Sequence, residues 1–280
     1  MIPAMGLSHD PRLTLIRDGI AAWSLKGIVP AGRYVETVTR QTIVPVAALR
    51  RWPDPDGEQL DQLLFGEVFE VLDTSVGWAF GQAMRDGYVG YLDSAALGEP
   101  PRAATHSVRA LRTYAYAAPS IKARPTGLYS MNALVTEEGR EGRFVQTSGG
   151  WFIAEHLAAI DQPEPDPAAV AERFLGTPYL WGGRQSLGLD CSGLVQQAFY
   201  ACGRTCPRDS DQQAELGSPV QVPTRGDLVF WRGHVAMMVS DTHIIHASGW
   251  HMQVVIEPLA EAIARTARLG GGQPIAVRRP

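Results

Sequence analysis

Three prolines at alternate positions, in Gln162-Pro163-Glu164-Pro165-Asp166-Pro167, divide this chain more sharply than any other stretch. Proline locks its own φ and restrains the residue before it. Such a run is therefore extended and semi-rigid, and it reads as a linker between separately packed units. The patterns on its two sides differ. From about residue 34 to 160 short β-prone runs alternate with turn residues, whereas after the linker a helix comes first and strands follow. A length of 280 residues, at roughly 150 per domain, suggests about two or three domains.

Upstream, β-prone runs at 42–46, 67–72, 77–80 and 88–92 are separated by Pro53-Asp54-Pro55-Asp56-Gly57, Asp73-Thr74-Ser75 and Asp86-Gly87. That spacing predicts a small all-β barrel or sandwich. After Gly98-Glu99-Pro100-Pro101-Arg102 a second β-patterned block runs over 107–160, again with prolines in its first loop (Pro119, Pro125) and a late Gly-Trp, Gly150-Trp151 against Gly77-Trp78. The two blocks read as a diverged internal repeat, with one larger β domain as the alternative. The expected division is an extension over 1–32, β units over 33–103 and 104–161, the linker 162–167, and a final domain over 168–280. Within the extension, Leu13, Ile16 and Ile20 at i, i+3 and i+7 predict a helix over 11–22. Asp10, Arg12, Arg17, Asp18 and Lys26 interrupt every apolar run there, which leaves neither a signal-peptide core nor a bilayer span and predicts a cytoplasmic protein.

Composition narrows the function classes. A net charge of -4 offers no basic patch, so neither nucleic acid nor an anionic membrane is an expected partner. Three cysteines, an odd number, make no disulfide framework.

Downstream of the linker, 168–175 predicts a helix, Gly176-Thr177-Pro178-Tyr179 a turn, and Trp181-Gly182-Gly183 a loop leading to a second helix. In that helix Leu194, Val195, Ala198, Phe199 and Cys202 recur at helical spacing, with Gln196 and Gln197 on the other face. Asp190 fits an N-cap and Gly203 a C′ stop. Cys191 therefore falls in the first turn, where unpaired N–H groups and the helix dipole favour a thiolate. The capping carboxylate opposes this, so a base is needed as well.

Of seven histidines, His9, His106 and His156 belong to the upstream part, leaving His234, His243, His246 and His251. Runs at 227–231, 235–240, 243–247 and 252–257 predict an antiparallel meander after the helices, an α+β arrangement. If 235–239 and 243–247 pair through the three-residue loop Ser240-Asp241-Thr242, Ala236 faces His246. His234 then becomes the diagonal neighbour of His246 on the same face, with Cα atoms roughly 7 to 8 Å apart. A slip of one residue would send the two to opposite faces. The pair can supply a base and the group that orients it, the pattern leaving open which is which. Cys202 and Cys206 with His243 and His246 do not make a zinc site, because Cys202 lies on a core face and 243 and 246 point to opposite sides of a strand. No cofactor is implied.

Phe174-Leu175-Gly176-Thr177-Pro178-Tyr179, Trp181-Gly182-Gly183, Asp190-Cys191-Ser192-Gly193-Leu194-Val195-Gln196, Pro207-Arg208-Asp209-Ser210, Gly226-Asp227-Leu228-Val229-Phe230, Gly233-His234-Val235-Ala236 and His246-Ala247 occur in that order. Together they resemble the NlpC-type (NlpC/p60) papain-like cysteine peptidases over nearly all of about 166–280. The two β blocks resemble the bacterial SH3-like domains that precede the peptidase domain in one branch. The resemblance implies Cys191 as nucleophile, His234 as base and His246 as third residue. It also implies the γ-D-glutamyl-L-diamino-acid endopeptidase reaction of cell-wall peptide recycling, with a murein peptide bearing a free L-Ala amine as substrate. Tyr179, Asp190, Ser192, Asp209 and Ser210 match positions lining that family's substrate site. Tyr88 matches the tyrosine that closes it, and Glu58 and Asp61 both qualify as the acidic residue nearby. The Cys191 backbone N–H is the expected first oxyanion donor. An exported enzyme acting on polymeric wall and an inert wall-binding module are the competing readings.

Overall fold

The computed structural model describes residues 9–98 and 100–280. Residues 1–8 of the expected extension and Glu99 of the expected 98–102 linker lie outside the described residues.

The helix expected over 11–22 is instead strand and turn. Ile16–Arg17 and Ile20–Ala22 pair antiparallel across Asp18 and Gly19, whose φ values are 50 and 76, and Arg33–Val35 adds a parallel third strand. Asp-Gly is a strong two-residue hairpin signal and overrides a weak three-residue helical spacing. Leu15 and Ala22 then bury against Leu72, Phe80 and Val89 of the first β block.

That block is one sheet in the order Leu97–Gly98, Val38–Thr42, Val68–Ser75, Trp78–Ala83, Val89–Asp93, Val46–Arg50, Gln59–Leu64. Among the described residues its two edges are not paired to each other, so the expected barrel is by hydrogen bonding a sheet with two ends. The run 42–46 is a corner rather than a strand: Thr42 ends one strand and Val46 begins the next, with Pro45, which has no N–H to donate, between them. Gln59–Leu64 escaped the sequence pattern because Asp61 and Gln62 break the alternation, yet both are buried.

In the second block a five-stranded sheet (Pro125–Ser130, Arg112–Tyr116, Gly150–Ile153, Phe144–Thr147, Gly139–Glu141) sits with a three-stranded one. Gly150–Ile153 runs into the 3-10 turn Ala154–His156 and the strand Leu157–Ala159, as Val89–Asp93 runs into Ser94–Ala96 and Leu97–Gly98. The counterpart of Gly150-Trp151 is therefore Gly90-Tyr91. Gly77-Trp78 opens the strand before it, because a Gly-aromatic step starts more than one strand here.

Past the linker, Asp166 caps helix α1 (Pro167–Glu172), with Pro167 in its first turn, so the helix starts one residue earlier and ends three earlier than expected. Helix α2 (Cys191–Ala201) is capped by Asp190, whose carboxylate accepts the Gly193 N–H at 2.8 Å, and Gly203 follows it at φ 69. A short helix α3 (Ser210–Gln213) comes next. The meander belongs to a six-stranded sheet ordered Ser218–Pro219, Ala276–Arg279, Leu228–Trp231, His234–Met238, His243–Ser248, Gln253–Pro258. Its alternating side chains serve two layers. Leu228, Phe230, Val235, Met237 and Ile245 pack on α2, while Val229, Trp231, Ala236, Met238 and Ile244 pack on helix α4 (Leu259–Arg268).

One expectation about α2 fails in an informative way. Gln196 and Gln197, expected on an outer face, are fully buried. Asn132 of the second β block donates to the Gln197 carbonyl and side chain at 2.8 Å, and Gln196 donates to Asp86 of the first at 3.1 Å. The helix is the shared centre of the molecule rather than a surface element.

Candidate active site

Cys191 is the first residue of α2, and it can sit there because Gly193 lets the helix start lie against the preceding loop. A Cβ at 193 would meet the Gly183 carbonyl oxygen at 2.2 Å. The cysteine is buried, with the backbone N–H of Val235 directed at it from the strand His234–Met238. Burial, then the Asp190 carboxylate, push its thiol up to about 12, against the lowering expected from the helix terminus. The dipole contribution is real but worth about 1 kcal/mol, and desolvation exceeds it.

The hairpin register is the one that brings the histidines together. Met237 pairs with Ile245 and Met238 with Ile244, so Ala236 falls opposite His246. His234 Nε2 lies 2.7 Å from His246 Nδ1, and the ring centres are 5.0 Å apart. Burial, then the neighbouring His246 and Arg265, bring His234 down to about 3. Near neutral pH both shifts favour the uncharged form, thiol at Cys191 and neutral imidazole at His234.

Two residues behind this pair were not anticipated. His246 Nε2 lies 2.8 Å from Glu257 Oε1, and Arg265 of α4 grips both oxygens of that carboxylate. Burial raises Glu257, but Arg265 and His246 outweigh it and hold the carboxyl at about 2. The signal was present: His246 pairs with Val255, so Glu257 is its diagonal neighbour by the rule that relates His234 to His246. His246, His251 and Glu257 also bring three ligand atoms within 4.8 Å, a different set from the cysteine and histidine group rejected on sequence.

A cavity of about 290 Å³ opens beside Cys191 and is lined by Glu58, Tyr88, Asp190, Ser192, Asp209 and Ser210. Six of the eight predicted substrate residues therefore meet at one place. Tyr88 donates to Asp209 Oδ2 at 3.0 Å; burial and that carboxylate push its phenol up. Glu58 pairs with Arg51 Nε at 2.6 Å. Tyr179 stands outside the lining, half-buried, where burial and the nearby Cys191 and Asp190 raise its phenol. Asp61 does not reach the cavity and is corrected here: it is fully buried, 2.9 Å from Arg184 and 2.7 Å from Arg208. Between Glu58 and Asp61, only Glu58 faces open space.

Arg12, Arg51 and Arg208 line the same cavity. Arg12 reaches across from the N-terminal segment to Asp209 and Asp211, at 2.8 Å each. Arg208 grips Asp190 through two hydrogen bonds, 3.1 and 2.6 Å, so one carboxylate caps α2, orients the Gly182 N–H at 2.9 Å and neutralises a buried arginine. Arg208 lay inside a quoted motif, but its role needs the fold to be seen.

A thiol at the start of a buried helix, facing a sheet that carries an imidazole pair, places the C-terminal part among papain-like cysteine peptidase folds. Residues 176–271 match the NlpC/P60 family and residues 49–97 the bacterial dipeptidyl-peptidase Sh3 domain, so the chain carries an NlpC/P60 domain behind an SH3 domain of that bacterial type. It is 37% identical over 151 residues to the gamma-D-glutamyl-L-lysine dipeptidyl-peptidase of Bacillus subtilis strain 168, covering 50% of this chain and 48% of that protein. To dipeptidyl-peptidase 6 of Lysinibacillus sphaericus it is 35% identical over 114 residues, 39% of this chain and 41% of that one. The matched parts thus span less than half of these relatives' lengths. The fold matches an NlpC/P60 family protein from Bacillus cereus ATCC 10987 with a TM-score of 0.75 at 22% identity, over 86% of this chain and 99% of the other.

Proposed function

We propose that this protein is a cysteine endopeptidase that hydrolyses the bond between γ-D-Glu and a diamino acid in short murein peptides bearing a free N-terminal L-Ala. The observation that carries this reading is the charge of the cavity beside Cys191. Its lining holds four carboxylates, Glu58, Asp190, Asp209 and Asp211, against three guanidiniums, Arg12, Arg51 and Arg208. One formal negative charge is left in excess, which a bound ammonium would match, and an ammonium in a closed site needs such a counter-charge. The first β block supplies Glu58, Arg51 and Tyr88 to one wall, which favours a short free peptide over cross-linked wall.

In this reading Cys191 Sγ attacks the γ-carbonyl carbon of D-Glu as His234 takes the thiol proton. The carbonyl π pair moves to oxygen, facing the Cys191 backbone N–H. Collapse expels the diamino acid amine, which takes the proton from His234, and water releases L-Ala-γ-D-Glu from the thioester. Because both partners rest neutral, proton transfer accompanies attack rather than preceding it. Among the described residues no helix is long and apolar enough to cross a membrane. We place the reaction in cytoplasmic peptide recycling.

The test is incubation with L-Ala-γ-D-Glu-meso-diaminopimelate read by mass spectrometry, beside Cys191→Ala. The expected result is release of L-Ala-γ-D-Glu by the parent alone. N-acetylating the L-Ala is expected to abolish turnover, and equal rates on blocked and free peptides would remove the ammonium site. Cleavage of intact sacculi would instead point to a wall-lytic enzyme.

A further inference from the structure

We propose that Glu257, anchored by Arg265, is a positioning residue that fixes the protons along His246 and His234 so that Nδ1 of His234 is the basic nitrogen. The inference rests on the reading of Cys191 and His234 as nucleophile and base.

The argument is one of donors and acceptors. An ionised carboxylate only accepts hydrogen bonds, so its contact at 2.8 Å requires the hydrogen to sit on His246 Nε2. A neutral imidazole carries one such hydrogen, so His246 Nδ1 is bare. That bare nitrogen lies 2.7 Å from His234 Nε2, which must therefore be the donor. What remains on His234 is Nδ1 with its lone pair. The opposite arrangement would set an imidazole lone pair against a carboxylate lone pair inside the protein, where nothing screens the repulsion.

Arg265 keeps the relay in this state. It engages both oxygens of Glu257 from α4, and α4 is seated on the sheet by Ala262, Leu259 and Ile263. Its cation already matches the carboxylate charge, so a second proton on His246 would set two cations on one anion. When His234 receives the thiol proton, its positive charge faces His246, and the His246 N–H faces Glu257, so the new charge meets a buried anion through one ring.

The full chain, labelled with 15N at histidine, is examined by long-range proton–nitrogen correlation at pH 7, with His234→Gln and His246→Gln spectra giving the assignments. Both rings are expected to carry hydrogen on Nε2. Hydrogen on His234 Nδ1, or a doubly protonated His246, overturns the proposal. Glu257→Gln removes the obligate acceptor, because an amide can donate as well as accept. It is expected to mix the tautomers and to lower kcat by about 10- to 100-fold with KM little changed. Folded Glu257→Gln protein with full kcat overturns the proposed role. If the parent shows the expected tautomers but cleaves no γ-D-Glu peptide, the peptidase reading fails and the proton arrangement stands.

Discussion

At Cys191 burial outweighs the helix terminus, and this sets how the thiol should react. Held up to about 12, it presents little thiolate near neutrality. The rate of alkylation by iodoacetamide is expected to rise roughly tenfold per pH unit from pH 6 to 9; a plateau below pH 7 would instead report a preformed thiolate–imidazolium pair. His234 carries the complementary shift. Its folded value of about 3 lies below the ordinary imidazole value of 6.5, so as pH falls through that window the unfolded chain takes up a proton that the folded chain refuses. Its stabilising contribution is fully present above pH 6.5 and is lost progressively toward pH 3. Urea midpoints compared at pH 7 and pH 4 are expected to fall for the parent and to fall less for His234→Gln.

Among the elements, α2 depends on close approach at its start. Gly193→Ala would drive a Cβ into the Gly183 carbonyl, and an overpacked contact of this kind costs about 1 to 3 kcal/mol, read as a lowered urea midpoint. The elements carrying Cys191 and the two imidazoles were legible, because each rests on a local rule: a capping Asp190, a C′ Gly203, and a three-residue loop that sets a hairpin register. Helix α4 was not foreseen, although Leu259, Ala262 and Ile263 stand at helical spacing. Nor was the strand Gln59–Leu64, since Asp61 looks like surface until Arg184 and Arg208 arrive from more than a hundred residues away.

Across the whole molecule, the β blocks and the C-terminal part are joined by buried charge. Arg184 contacts Asp61 at 2.9 Å and Glu67 at 2.6 Å, and Arg208 contacts Asp61 at 2.7 Å and Asp190 at 2.6 Å. Removing one member of such a group leaves an uncompensated buried charge, at about 3 to 5 kcal/mol. Asp61→Ala is therefore expected to lower the Tm of the full chain by several degrees, and calorimetry measures it. An unchanged Tm would mean that the Asp61 charge adds nothing to holding the two parts together.

By itself the sequence determined where Cys191, His234 and His246 would sit and which local elements would carry them, because caps, turn lengths and hydrophobic period act over a few residues. Only the tertiary structure decided that Glu58 rather than Asp61 faces the cavity, that Gln196 and Gln197 are interior, and that Arg265 clamps the carboxylate behind the histidines. Those outcomes depend on which distant charge or carbonyl arrives beside a group once water is excluded. No local spacing encodes that.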